Sequence, residues 1–74
     1  MRSFEEWVKE VEEELTKDRC QFTIQAILDS LKINRTIHHL MVFMRWLHHY
    51  GLQYLCPTPQ EIDCWIKQGV LRKV

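Results

Sequence analysis

The stretch TIQAILDSLKINRTIHHLMVFMRWLHHYG, residues 23–51, carries the pattern that decides the fold. Apolar residues recur in it at spacings of three and four, the spacing of one buried helix side, on both sides of a short polar turn. Thr23 and Thr36 precede the two apolar runs, where a hydroxyl can accept a hydrogen bond from an unpaired helix N–H. Asn34 and Gly51 follow them and are residue types that tolerate the left-handed conformation in which many helices end. The stretch therefore predicts two consecutive helices joined by a short turn.

The flanking segments predict two more helices. Ser3 with Glu6, and Thr58 with Glu61, form capping boxes, and each box is followed by apolar residues at helical spacing. The first stripe consists of Phe4, Trp7, Val8, Val11 and Leu15; the last consists of Ile62, Trp65 and Ile66. We expect an extended segment over 52–56, and we expect Val70 and Leu71 to fold back over the last helix after Gly69. The sequence thus predicts an all-α fold, a compact bundle of about four helices forming a single small domain over residues 1–74.

Composition excludes several classes of protein. The 74 residues carry ten Lys and Arg against ten Asp and Glu, so the chain is not a polycation that binds nucleic acid by summed charge alone. With 46% hydrophobic residues it is too apolar to be intrinsically disordered. A helical bundle of this length has little room for a walled pocket, so we expect a non-enzymatic protein without a small-molecule substrate.

Cysteine and histidine spacing predicts neither a metal site nor a catalytic pair. Cys20, Cys56 and Cys64 are an odd number of thiols and are too widely spaced for a zinc motif. His38-His39 and His48-His49 are adjacent pairs whose members point to different helix sides. We therefore expect no metal and no cofactor. Because no signal peptide or membrane span is visible, we expect free thiols in a reducing intracellular compartment, cytoplasmic or nuclear, and no membrane partner.

The third predicted helix has three distinct sides. Its expected core stripe consists of Ile37, Leu40, Met41, Met44 and Leu47. A narrow polar strip contains His38, Arg45 and His49, with Val42 beside it, and the remaining side is aromatic, with His39, Phe43, Trp46 and Tyr50. In one interpretation, neighbouring helices cover both apolar sides. In the other, Phe43, Trp46 and Tyr50 stay partly exposed and form a protein interface with His39, since aromatic residues dominate interface cores.

The second interpretation leads to our main functional hypothesis. It describes a small helical interaction protein that binds another protein and self-associates, because a homodimer uses the same patch on both sides. Small phage and viral accessory or regulatory proteins often have this format.

Residues 23–47 also resemble the helix-turn-helix of small DNA-binding regulators, which would make the two middle helices a helix-turn-helix-like central pair. The resemblance implies that Lys32 would contact phosphate, and that Arg35, His38, His39 and Arg45 would face the groove of a duplex. A DNA-binding regulator is therefore the alternative function.

Charge is segregated along the chain in a way that bears on both hypotheses. Residues 1–18 hold seven acidic and three basic residues, whereas residues 30–60 hold no acidic and three basic residues. The six glutamates of the first helix would repel a duplex unless they lie on the far side. We expect a bipolar domain with an acidic first helix and a mildly positive, aromatic-rich centre, which favours a specific docking surface.

Overall fold

A computed structural model of the chain, which describes residues 1–17 and 22–73, confirms the all-α fold. Four α-helices and one short 3-10 turn follow one another: α1 (Phe4–Leu15), α2 (Phe22–Ile33), α3 (Ile37–His49), the 3-10 turn (Gln53–Leu55) and α4 (Pro59–Lys67). The described residues contain no β-strand; their one bridge, parallel, joins Thr36 to Arg72. None of the helices in these two ranges is long and apolar enough to cross a membrane. The segment expected to be extended forms the 3-10 turn instead.

Local capping explains where the helices begin. Both predicted capping boxes are present: Ser3 Oγ and Thr58 Oγ1 each accept from the backbone N–H of the glutamate three residues on, at 3.1 Å. Thr36 caps α3 in the same way, with its Oγ1 accepting from the backbone of His39 at 3.1 Å. The expectation for Thr23 is wrong, because α2 begins at Phe22 and Thr23 lies within its first turn.

The centre of the core is a cluster of four aromatic rings. Trp7 lies at its middle, with ring centroids of Phe4, Phe43 and Trp65 at 5.7, 5.8 and 5.5 Å. Both indole N–H groups donate to backbone carbonyls, that of Trp7 to Leu55 at 2.9 Å and that of Trp65 to Arg2 at 3.1 Å. The cluster therefore joins α1, α3, α4 and the 3-10 turn, with every buried indole donor satisfied.

The buried side of α3 differs from the predicted stripe. Leu40 and Leu47 are buried as expected, but Met41 is 57% exposed and Phe43 is fully buried. The cause is tertiary: Phe43 packs edge-on against Trp7 of α1, and this contact turns Phe43 inward and Met41 outward. Phe43 is thus a core residue, and the expectation that it remains partly exposed in an interface is wrong.

A buried ion pair ties the N-terminal segment to α4. Glu61 is only 3% exposed, and its carboxylate accepts from Arg2 Nε and Nη2, each at 2.8 Å, and from the Thr58 backbone at 3.0 Å. Hydrogen bonding from Arg2 lowers the pKa of Glu61 to about 2. The capping glutamate of α4 therefore also anchors the start of the chain, a role that its capping pattern alone does not indicate.

The C-terminal segment folds back as predicted and then runs beside α3. Leu71 is buried, and the backbone N–H of Leu71 donates to the Trp65 carbonyl at 3.2 Å. Beyond it, the Arg72 carbonyl accepts from the Ile37 backbone at 2.7 Å, and the Arg72 N–H donates to Arg35 at 2.8 Å. These two hydrogen bonds hold Arg72 next to the first turn of α3.

Gly69, at the end of α4, provides a first test of the fold. Its φ of +76° lies in the left-handed region, and an added Cβ would meet no atom within 4 Å. Gly69→Ala is therefore expected to cost only backbone strain, about 1 kcal/mol, and to lower the melting temperature by roughly 4–8 °C. Thermal unfolding followed by circular dichroism measures the change. Gln68→Ala is the control, because Gln68 is also exposed but has a right-handed helical backbone conformation. A variant that melts with the wild type would contradict this backbone geometry.

Candidate functional site

The side of α3 that points away from the core is rich in aromatic and basic residues. We call it the outer face of α3, and it consists of His38, Met41, Val42, Arg45, Trp46 and His49. All six are exposed or half-buried, and they recur at helical spacing. Leu40, Phe43 and Leu47 fill the core side, and of the six residues Trp46 also packs against the edge of the core.

Three aromatic side chains at the C-terminal end of this face form a preassembled cluster. Trp46 and Tyr50 stack with centroids 6.0 Å apart and ring planes 24° apart. His49 stands edge-on to both rings, at 5.7 Å from Trp46 and 5.2 Å from Tyr50. Arg45, Trp46 and His49 line a shallow cavity of about 280 Å³ beside the cluster. Rings that already support one another lose little rotamer freedom on binding, so the cluster is preorganised for contact.

A groove lies between α2 and the N-terminal half of α3. It has a volume of about 380 Å³ and is lined by Ala26, Ile27, Ser30, His38, His39 and Val42. His39 Nδ1 lies 2.7 Å from Thr36 Oγ1, so the N-cap of α3 also orients this ring. The two small residues of α2 leave space beside α3, and the groove is mostly apolar with imidazoles along one wall.

The five residues expected to contact DNA do not form one surface. Lys32 Nζ pairs with Glu12 at 2.8 Å and with Asp29 at 3.2 Å. Arg35 Nη1 pairs with Glu5 at 3.0 Å, and its guanidinium carbon lies 4.9 Å from the centre of the Phe4 ring. These two side chains therefore point to acidic α1, whereas His38, His39 and Arg45 lie along the groove and outer face.

Ion pairing leaves the residual positive charge near α3. Of the nine Lys and Arg residues in the described part of the chain, five form ion pairs with carboxylates there. The other four are Lys9, Arg45, Arg72 and Lys73. Arg45 belongs to the outer face, and Arg72 and Lys73 are exposed in the segment bonded to the first turn of α3. All four histidines are also on α3, and no acidic residue occurs over 30–60.

The cysteine and histidine geometry does not resemble an activated nucleophile. Cys56 Sγ lies 3.9 Å from His48 Nδ1, but that nitrogen is 2.9 Å from the Met44 carbonyl and must donate its hydrogen there. Burial raises the pKa of Cys56, which keeps it a thiol near neutral pH. Over residues 1–17 and 22–73, no three His, Cys, Asp or Glu side chains are grouped to hold a metal ion. Cys20 lies outside the described residues.

Two parts of this site are not among the residues predicted from the sequence. The groove depends on Ala26 and Ser30, two small residues four apart on α2 that face α3; their spacing is a signal that the sequence does contain. Arg72 is held next to the site by backbone hydrogen bonds to Arg35 and Ile37, and Lys73 follows it in the chain. No local sequence pattern indicates these bonds.

Comparisons of this chain with models of protein families, with curated proteins and with solved structures found no match in any of the three. Function is therefore inferred from the outer face of α3 and its groove.

Proposed function

We propose that this chain is a protein-binding domain whose contact surface is the outer face of α3 together with the α2–α3 groove. The observation that carries the proposal is the preassembled aromatic cluster, in which Trp46 and Tyr50 stack outside a core already filled by Phe43. Large aromatic residues concentrate at the centres of protein interfaces, where they bury much area at little cost in rotamer freedom. Tyr50, which is 41% exposed, keeps apolar area available for a partner.

Ion pairing favours a protein partner over a DNA duplex. Phosphate recognition needs several cations on one surface, and the affinity grows with the number of phosphates neutralised. Lys32 and Arg35 are held against glutamates of α1, so contact with phosphate would first require these pairs to break. The described part of the outer face then offers Arg45 as its one Lys or Arg side chain, next to apolar Met41, Val42 and Trp46.

A different protein also fits this face better than a second copy of the chain. A twofold dimer through α3 would bring the Arg45 side chains of both copies to one interface, where like charges repel. Self-association, which the sequence predicts, is therefore the less favoured mode of binding on this face. Light scattering at tens of micromolar tests it: we expect the mass of a monomer, and the mass of a dimer would support self-association instead.

Stability measurements test whether Trp46 belongs to a binding surface or to the core. Trp46→Ala is expected to preserve helicity and to lower the free energy of unfolding by about 1 kcal/mol or less, since the ring is half-buried at the edge of the fold. Phe43→Ala, on the same helix, is the contrasting variant and should cost about 3–5 kcal/mol. Urea unfolding measures both. Equal losses for the two variants would make Trp46 a core residue and would remove the main support for this proposal.

A further inference from the structure

We infer that the element bound by this surface is an acidic amphipathic helix of another protein, which lays its apolar side along the groove and the aromatic cluster. The inference rests on the proposed function and adds the chemistry of the partner. Two features of the described residues carry it: the spacing of the two cavities along α3, and the charge that surrounds them.

The spacing of the cavities matches a helical ligand. The groove is centred near residue 40 of α3, and the second cavity, beside Trp46, is centred near residue 47. Seven residues of helix span about 10 Å, which is also the distance between the side chains at positions i and i+7 of a bound helix. A partner helix lying along α3 therefore places one apolar anchor in each cavity. This is the usual geometry of an amphipathic helix in a groove.

The walls of the two cavities suit the residues expected at each anchor point. Ala26, Ile27 and Val42 form an apolar bed for an aliphatic side chain in the groove. At the other end, the Trp46 ring lines the second cavity together with Arg45 and His49 and offers a surface for a second apolar or aromatic side chain. The first anchor thus rests on aliphatic side chains and the second on the Trp46 ring, and polar residues of the partner stay at the rim.

The cations around the cavities favour acidic residues beside the apolar stripe of the partner helix. Arg45 lines the cavity beside Trp46 and has no ion-pair partner in the described part of the chain. Arg72 and Lys73 are exposed in the segment whose backbone is bonded to the first turn of α3. The nearest acidic residue on α2, Asp29, is paired with Lys32, which also pairs with α1. Carboxylates beside the apolar stripe of the partner would meet cations here, whereas lysines would meet like charge.

A set of three peptides tests the inference with the full chain. Each is a synthetic helix of about 18 residues with leucines at i, i+3 and i+7, and its remaining positions are rich in Glu, Gln or Lys. Titration into ¹⁵N-labelled protein reports both the affinity and the surface used. We expect the Glu-rich peptide to bind about tenfold more tightly than the Lys-rich one, and to lose affinity severalfold as salt is raised from about 50 to 500 mM. The largest chemical-shift changes should occur at Ala26, Val42 and Trp46.

Two charge-reversal variants distinguish the effect of Arg45 on peptide preference from the effect of the net charge of the chain. Arg45→Glu should abolish or reverse the preference for the Glu-rich peptide, because Arg45 lines the second anchor cavity. Lys9→Glu changes the net charge equally on α1, where Lys9 is also exposed and without an ion pair in the described residues, and it should leave the preference intact. Equal loss of preference in both variants would mean that only net charge matters and would overturn the inference.

The outcomes distinguish this inference from the proposed function. If all three peptides bind the outer face of α3 with equal affinity, the acidic partner is wrong and the protein-binding surface stands. If none of the three peptides shifts the resonances of that face at millimolar concentration, the acidic partner and the protein-binding surface are both wrong. A mixed-sequence DNA duplex that shifts the same resonances and binds more tightly than any peptide would overturn the acidic partner and the protein-binding surface in favour of nucleic acid.

Discussion

Trp7→Ala is expected to lower the free energy of unfolding by about 4–6 kcal/mol. The Trp7 ring is fully buried and contacts three other aromatic rings, so its removal opens a large cavity at about 3–5 kcal/mol. Loss of the indole N–H also leaves the buried Leu55 carbonyl without its donor, which adds about 1 kcal/mol or more. A domain of this length is stable by roughly 4–11 kcal/mol in total. The deletion therefore removes a large part of that stability, and all of it at the lower end of the range.

Far-UV circular dichroism and urea unfolding measure this effect. Trp46→Ala is the matched control, because it deletes the same side chain from the outer face of α3 and should stay folded. Trp7→Phe is an intermediate variant, since it keeps one aromatic ring in the core but loses the donor to Leu55 and part of the buried volume; its stability should lie between those of wild type and Trp7→Ala. A Trp7→Ala variant that unfolds cooperatively within 1 kcal/mol of the wild type would show that the aromatic cluster is not the centre of the core.

Glu61→Gln is expected to lower stability by about 2–3 kcal/mol near neutral pH and by little in strong acid. Arg2 lowers the pKa of Glu61 from its ordinary 4.5 to about 2 in the folded chain. Such a difference corresponds to roughly 3 kcal/mol, reduced somewhat because the Arg2 side chain is partly open to solvent. A carboxyl with a lowered pKa stabilises the fold above its unfolded pKa and loses that contribution as pH falls toward 2.

The pH dependence identifies the ion pair as the cause. Urea unfolding of wild type and Glu61→Gln should differ most above pH 5, and the difference should shrink steadily between about pH 4.5 and 2. Asp63→Asn is the control on the same helix, because the exposed Asp63–Lys67 pair contributes about 0.5 kcal/mol or less. A gap between wild type and Glu61→Gln that is the same at pH 7 and pH 2.5 would contradict this account of the pair.

The helices are predictable from the sequence because their signals are local. A capping box needs only four consecutive residues, and both boxes form where Ser3 and Thr58 predict them. Leu71 covers the end of α4 for a similarly local reason, since the chain turns at Gly69 with a positive φ. Thr23 shows the limit of such signals, because a threonine at a plausible position does not cap α2.

The outward side of α3 is not predictable in the same way. Helical periodicity puts Phe43 and Met41 on different sides of the helix, and both sides are apolar. Which side turns inward depends on Trp7, which lies 36 positions earlier in the chain and contacts Phe43. Packing against α1 therefore determines the surface that α3 presents.

The sequence predicts which charged residues lie near α3, but not which of them are paired. The sequence predicts correctly that basic residues and histidines concentrate around α3. It does not show that Lys32 and Arg35 are paired with Glu12 and Glu5, because those glutamates lie 20 and 30 positions away. Long-range pairing thus removes two cations from the predicted DNA-contact set.

The indole N–H signals of the three tryptophans distinguish the outer face of α3 from the core, since each reports a different environment. Titration of the ¹⁵N-labelled chain with the Glu-rich helical peptide should shift the Trp46 signal saturably. The Trp7 and Trp65 signals should stay in place, because both N–H groups are bonded to carbonyls inside the fold. If the peptide binds while Trp46 stays unchanged, or if Trp7 and Trp65 move as much as Trp46, the outer face of α3 is not the binding surface.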